Sequence, residues 1–412
     1  MRLCSCKQTL AYALAGLWLC LLSFPVAAAD AQHNERVMRN GTKLTPMGFP
    51  ELDGWETDDH LAAFKTFLAS CERVLFLAKE RAGSSKAVPS PALAQACHNA
   101  RKVGADGTGR AEARAFFEAN FTPFAVVHKG KPGLLTGYYE PVLEGSRTQH
   151  GRYQVPIYKR PPELMTLVDE TKGAKPGTMT HGHKTEKGIE PYYTREQIEQ
   201  GILKGRNLEL VYLADPVDAF FMQIQGSARV QLDDGTLMRV GYDGKNGHPY
   251  ASIGRRLVEL GIMATEALSL ATLKAWLTAD RERGRQAMWH NPSYIFFREI
   301  GDGNDTGPLG ALGAPLTPGR SIAVDPAYHP LGTPIFVTAA GMGHIEKSGN
   351  FARLMIAQDV GSAIKGPERG DLYFGTGEAA GKMAGVTRHK GHFAVLVPNS
   401  VPASADASAA KP

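Results

Sequence analysis

Two aspartates, Asp359 and Asp371, stand at the ends of a glycine-punctuated segment in the stretch "AQDVGSAIKGPERGDLYFGTG". The apolar run "RLMIAQ" leads into Asp359 and "LYFGTG" follows Asp371, so each is expected at the rim of a buried strand. Burial beside apolar neighbours raises a carboxyl pKa, and a second carboxylate nearby raises it further. A carboxyl that keeps its proton near neutral pH is what cleavage of a glycosidic bond needs. The same pattern suits two turn caps beside Gly361 and Gly370, and spacing alone leaves both readings open. Asp325, in "VDPAYHPLGTP", is a third candidate carboxylate, although "DP" commonly opens a turn. Lys365 lies between the two main aspartates, either to pair with one of them or as a solvated loop lysine.

Two further segments mix aromatic faces with hydrogen-bonding groups. "TGYYEP" holds Thr136, Tyr138 and Tyr139; "FFMQIQGSARV" holds Gln223, Gln225, Gly226 and Ser227. Rings stack on the apolar face of a pyranose while amides and hydroxyls exchange hydrogen bonds with its substituents, although aromatic strands also build cores. "GYDGKNGHPY" adds Lys245 and Asn246 in a polar glycine loop without a phosphate-loop pattern. "HGH" at 181–183 resembles half of a metal site, yet no ligand cluster accompanies it at a diagnostic spacing, so no metal or other cofactor is assigned.

These groups need a scaffold. Helical spacing behind an Asp cap predicts a helix over 58–79, and a second is expected over 111–120. From Leu134 the pattern changes to short apolar or alternating runs broken by Gly, Pro and Asp, which predicts strands through "AFFMQIQGSARVQL" and "LMRVGYDG". Helices return over 250–263 and 268–289, after which "NPSYIFFRE" is expected to open a final strand series. That series is too short for a sandwich and is expected to complete a barrel with strands from elsewhere. The tail "NSVPASADASAAKP" has the composition of a disordered segment.

The chain has 412 residues, 43% hydrophobic and 21% charged, enough for more than one core. Arg2 and Lys7, an apolar run and "VAAAD" read as a cleavable secretion signal over 1–29. Trp18 and Leu19 occupy the places before Cys20 where lipid attachment wants small residues, so a lipid anchor is not expected. The product is expected in the periplasm, with outer-membrane association as a further option. Losing the signal leaves 44 basic residues against 41 acidic, too mild an excess to argue for nucleic acid. Cys71 and Cys97 also remain, an even pair that reads as one disulfide in an oxidising compartment or as two separate buried thiols.

Taken together, "TGYYEP", "PIYKRP", "FFMQIQGSARV", "GYDGKNGHPYASIGRRL", "NPSYIFF", "DPAYHPLGTP" and "AQDVGSAIKG" followed by "GDLYFGTG" resemble the membrane-bound lytic murein transglycosylase A family. The resemblance implies a mainly β fold with flanking helices, in which a double-psi β-barrel carries a second, smaller inserted β-barrel. The barrel is then expected from residues 30–140 and 290–398, the glycan-binding insert from 141–289, and the tail from 399. It further implies Asp371 as the catalytic acid and base and Asp359 as its support. The substrate would be peptidoglycan glycan strands, cut with formation of 1,6-anhydromuramic acid ends. An inverting hydrolase on the same barrel and a non-catalytic peptidoglycan-binding scaffold stand as alternatives. Other cell-wall enzymes or scaffolds are candidate partners, and a monomer is expected.

Overall fold

The computed structural model describes residues 36–38, 41–80, 89–104, 106, 108–129, 133–173, 177–301 and 307–400, all within one compact unit. The signal segment and residues 401–412 of the tail lie outside the described residues.

The first part of the chain supplies β1 (Arg36–Val37), β2 (Lys43–Pro46), three helices, β3 (Phe121–Val127) and β4 (Leu134–Glu140). The helices are α1 (His60–Glu80), α2 (Pro91–Val103) and α3 (Arg110–Asn120). Ser90 caps α2 by accepting from the Leu93 amide at 3.2 Å, with Pro91 preset at the first helical position. That start signal stood in the sequence, although periodicity had pointed only to the helices on either side. The Cys71–Cys97 disulfide ties α1 to α2, with Cα atoms 5.2 Å apart.

The middle of the chain forms β5 (Val142–Ser146), β6 (Val155–Tyr158), β7 (Met165–Thr166), β8 (His181–Thr185), β9 (Gly188–Glu190), α4 (Arg195–Glu199), β10 (Glu209–Leu213) and α5 (Pro216–Gln225). It continues through β11 (Ser227–Leu232), β12 (Leu237–Lys245), α6 (Ile253–Glu259), α7 (Leu270–Ala279), α8 (Arg281–Trp289) and β13 (Ile295–Glu299). The last part supplies β14 (Ser321–Val324), β15 (Pro334–Ala339), β16 (Phe351–Val360), β17 (Arg369–Thr376), α9 (Glu378–Val386) and β18 (Arg388–Pro398).

Strand pairing runs β1-β2-β3-β18-β15-β16-β14-β17-β4, and a further β18–β4 pairing closes the last six into a barrel. One strand of that barrel precedes the middle segment and five follow it. Its apolar interior joins Leu135, Ile322, Ile335, Ile356, Leu372 and Val395 to the phenylalanines of α1 and α3. Arg320 locks the two halves, donating to both carboxylate oxygens of buried Asp58 at 2.9 and 2.8 Å.

A second sheet runs β13-β12-β11-β5-β10-β6, and a bridge from Lys159 to Phe297 leads back to β13. "NPSYIFFRE" therefore belongs to this sheet, which extends to Glu299 rather than ending at 289. The reason is local: β12 offers Val240 to Lys245 as an antiparallel partner immediately beside it.

The expected strand over 219–225 is instead the helix α5. Asp215 accepts from the Val217 amide at 2.7 Å, Pro216 opens the helix and Gly226 closes it at φ 80°. Ala219 and Met222 enter the core of the second sheet, whereas Val217, Phe220 and Phe221 pack toward α6 to α8. A helix buried on two sides shows little polar periodicity and is easily read as a strand.

Candidate active site

Asp359 on β16 and Asp371 on β17 occupy the two strands that flank β14, each in register with Ala323. Two strand spacings put their Cα atoms about 10 Å apart. The placement of Asp359 depends on a bulge. Ile322 faces Ala357 and Ala323 faces Asp359, so Gln358 is the extra residue. The buried Gln358 amide secures it, donating to Ser70 Oγ at 2.8 Å and the Pro315 carbonyl at 3.3 Å, and accepting from the Ser321 hydroxyl.

β4 supplies the facing wall. Thr136 stands opposite Asp371 and Tyr138 opposite Tyr373. The Thr136 hydroxyl donates to Asp371 Oδ1, and Arg369 Nη2 donates to that same hydroxyl oxygen at 2.8 Å. The Tyr138 hydroxyl donates to Asp359 Oδ2 at 3.0 Å, while the Ala311 and Val360 amides each donate to Asp359 Oδ1 at 2.9 Å.

Burial raises the Asp359 pKa to about 6 against the opposing pull of its three donors, and nearby Asp371 adds to the rise. Burial also raises the Asp371 pKa, opposed by the Arg369 guanidinium and the Thr136 hydrogen bond. The Tyr138 phenol is held far above its usual range by burial and then by both carboxylates, so it remains a donor. The pair therefore divides into a tightly tethered carboxyl and one with a single hydrogen-bond donor, both favouring the protonated form more than exposed aspartates do.

The second sheet reaches these loops. Lys245 Nζ donates to Ser362 Oγ at 3.3 Å and pairs with Glu170, which also accepts from the Tyr242 hydroxyl at 2.9 Å. Gly173 approaches so closely that an added Cβ would lie 2.7 Å from the Ala327 backbone. The Tyr250 phenol is raised chiefly by burial, with the Asp371 charge among the lesser causes. At the crossover from β4 to β5, fully buried Glu140 pairs with Arg229 at 3.0 Å and Arg239 at 2.9 Å and accepts from the Thr376 hydroxyl at 2.7 Å.

The other sequence candidates have the following surroundings. Tyr139 is buried with Ala380 and Ala384. Gln223 is buried and accepts from Arg195 Nη2 at 2.8 Å, while Gln225 Oε1 accepts from the Tyr139 amide at 3.0 Å. Gly226 caps α5, and Ser227 begins β11 as a buried residue. Asn246 is fully buried, donating to the carbonyls of Tyr193 and Pro292 at 2.8 Å and accepting from the Tyr294 amide at 2.9 Å. Asp325 accepts from the amides of Ala327 and Gly366, the turn-capping geometry, and Lys365 is exposed on its loop. Among the described residues no metal-type cluster of three or more His, Cys, Asp or Glu occurs. Arg369 escaped notice although it precedes Asp371 by two residues and so shares its face of the strand. Tyr250 also escaped, although it ends the polar glycine loop already singled out.

Fold and site define a barrel protein with a carboxyl pair on one face and an inserted sheet packed beside it. Two family models match the chain: the MltA specific insert domain over residues 134–298 and the 3D domain over residues 320–397. The chain is 34% identical to a solved membrane-bound lytic murein transglycosylase from Agrobacterium tumefaciens, with a TM-score of 0.75 over 86% of this chain and 97% of that one. It belongs to the membrane-bound lytic murein transglycosylase A family. The enzyme of that name from Vibrio cholerae is 35% identical over 266 residues, and the match spans 63% of each chain. E. coli MltA solved with bound chitohexaose is 26% identical, with a TM-score of 0.59 over 82% of this chain and 90% of that one.

Proposed function

We propose that the protein is a lytic transglycosylase that cuts the β-1,4 bond between N-acetylmuramic acid and N-acetylglucosamine in peptidoglycan. Protonated Asp371 gives its proton to the glycosidic oxygen as the bond to C1 breaks. The resulting carboxylate accepts the proton of the muramoyl C6 hydroxyl as that oxygen bonds to C1 and closes a 1,6-anhydro ring. The proton returns to Asp371 and no water is consumed. Asp359, held by three donors, orients the site and steadies the positive charge that develops at C1.

The observation that carries this reading is the asymmetry of hydrogen bonding in the pair: burial raises both pKa values, but Asp371 has a single hydrogen-bond donor and is free to move a proton, whereas Asp359 is tethered from three directions. The names of the relatives support the reaction, and the chitohexaose bound by E. coli MltA supports a glycan groove. On this reading the barrel is the catalytic domain and residues 141–299 are the glycan-binding insert. The exposed Lys365 and the free amide nitrogen of Gln225 contact sugar, whereas Tyr138 and Asn246 hold the walls. The protein acts as a monomer on glycan strands in the periplasm.

Mass spectrometry of muropeptides released from purified sacculi tests the proposal. Anhydro ends, lighter than hydrolytic ends by one water, are expected, and Asp371→Asn abolishes cleavage while retaining glycan binding. The two-strand separation of the aspartates also suits an inverting hydrolase, whose carboxyls stand about 6.5–9.5 Å apart. Reducing muramic acid as the main product would establish that reading instead. An active Asp371→Asn protein would exclude both.

A further inference from the structure

A cavity of about 1310 Å³ opens on the barrel, lined by residues other than the aspartate pair. Its floor holds charges already matched, Arg320 with Asp58 and Arg353 with Glu346. Its sides differ in sign. The start of β18, "RHKGH", contributes Arg388, His389, Lys390 and His392, while the segment before α1 contributes Asp53 and Asp59. Among the described residues, Arg388 and Lys390 have no carboxylate within ion-pair distance, and Asp53 has no cation. Both Lys390 and Asp53 are exposed to the cavity's solvent.

One residue of the cavity lies near the site in strand register. Arg388 stands opposite Thr136 on β4, and Thr136 stands opposite Asp371 on β17. Two strand spacings make that about 10 Å. An extended peptide advances about 3.3–3.6 Å per residue, so three residues cover the distance.

We propose that this cavity binds the peptide that peptidoglycan carries on its muramic acid, with its carboxylates on the β18 side and its free amine on the Asp53 side. The inference rests on the proposed peptidoglycan activity. Such a peptide is attached through the lactyl group of the sugar being cut. It carries several carboxylates and, at its diamino acid, an ammonium group, so a cavity with two oppositely charged sides selects both its chemistry and its direction. A strand stripped of its peptides keeps only the lactyl carboxylate on each muramic acid, lacks the ammonium group and the further carboxylates, and does not reach across the cavity.

Two measurements on the full chain test the proposal. The first compares turnover of peptide-bearing glycan strands with turnover of strands stripped by an amidase. For a Lys390→Gln, Asp53→Asn double variant, KM for peptide-bearing strands is expected to rise about tenfold at low salt with kcat preserved, as fits the loss of contacts made equally in the ground and transition states. Both constants on stripped strands are expected to stay at the unsubstituted values, which also reports intact folding. Equal changes on both substrates, or no change on either, would overturn the subsite. The second measurement titrates the free diamino-acid peptide onto the Asp371→Asn chain by calorimetry and needs no catalysis. Saturable binding that the Lys390 and Asp53 substitutions weaken about tenfold is expected; binding indifferent to them, or none, would overturn the subsite and leave the transglycosylase reading standing. Failure of that reading would show separately, as absence of anhydro products from both strands.

Discussion

Asp359 and Asp371 approach Ala323 from opposite sides of β14, and only the extra residue at Gln358 brings Asp359 into that register. Side chains alternate along a strand, so removing the bulge would set Gln358 opposite Ala323 and turn Asp359 away from the Tyr138 hydroxyl. The geometry of the carboxyl pair thus depends on a buried amide that faces the core.

Gln358→Ala should therefore affect both folding and chemistry. Ser70, Ser321 and the Pro315 carbonyl would lose a buried partner, and stability is expected to fall by about 2–4 kcal/mol in urea denaturation. Release of anhydro products should fall with it even at temperatures where the variant remains folded. A variant with normal turnover would show that Asp359 holds its place without the bulge.

The pH profile should report on the neighbours of Asp371. The acid must begin protonated, so activity falls as pH rises through its pKa. The Thr136 hydrogen bond and the Arg369 charge both lower that pKa. Thr136→Val and Arg369→Gln are each expected to move the alkaline limb of kcat/KM to higher pH, and Thr136→Val to reduce kcat by about tenfold as the carboxyl loses orientation. A limb unmoved by either substitution would assign it to another group.

Asp359 should make stability depend on pH in the direction opposite to an ordinary ion-paired aspartate. Its folded pKa of about 6 lies above the reference of 3.8, so the folded state holds this proton more tightly than the unfolded one. Its stabilising effect is present below about pH 4 and is lost as pH rises through about 6, a change on the order of 3 kcal/mol. Asp359→Asn is expected to flatten that part of the stability curve, measured by denaturant midpoints between pH 4 and 7.

The disulfide between α1 and α2 closes a separation of 26 residues. Loop-closure entropy for that length predicts that Cys97→Ser lowers stability by about 3.5 kcal/mol. Thermal melts with and without reductant should show the loss in the native chain and no further effect of reductant in the variant.

Much of the barrel was legible because its strands are short apolar runs with Gly and Pro at their ends, and the aspartates stood out because each interrupts such a run. The motifs that resemble the family supplied the inserted arrangement, which periodicity does not encode. What escaped the sequence was environment. Asn246 reads as a loop ligand, yet its amide closes three backbone contacts at the base of that loop. Gln223 reads as a strand residue with a free amide until α5 turns it toward Arg195. Neither outcome follows from local pattern, because each is settled by a partner distant in sequence.

The closure of the barrel has a consequence for the order in which the chain matures. Thr136 and Asp371 are 235 residues apart, and β4 is gripped on both edges by strands that leave the ribosome after the whole second sheet. Contacts of such separation form late, because a long loop must be closed before any of them stabilises the chain. The second sheet can pair as it emerges, while β4 waits beside it with open edges. Only when Arg388–Pro398 docks between β4 and β15 does the ring close and the carboxyl on β17 gain a fixed wall. Nascent chains therefore carry both aspartates without the wall that fixes them, and on the proposed reading the site is complete only with the arrival of the last strand.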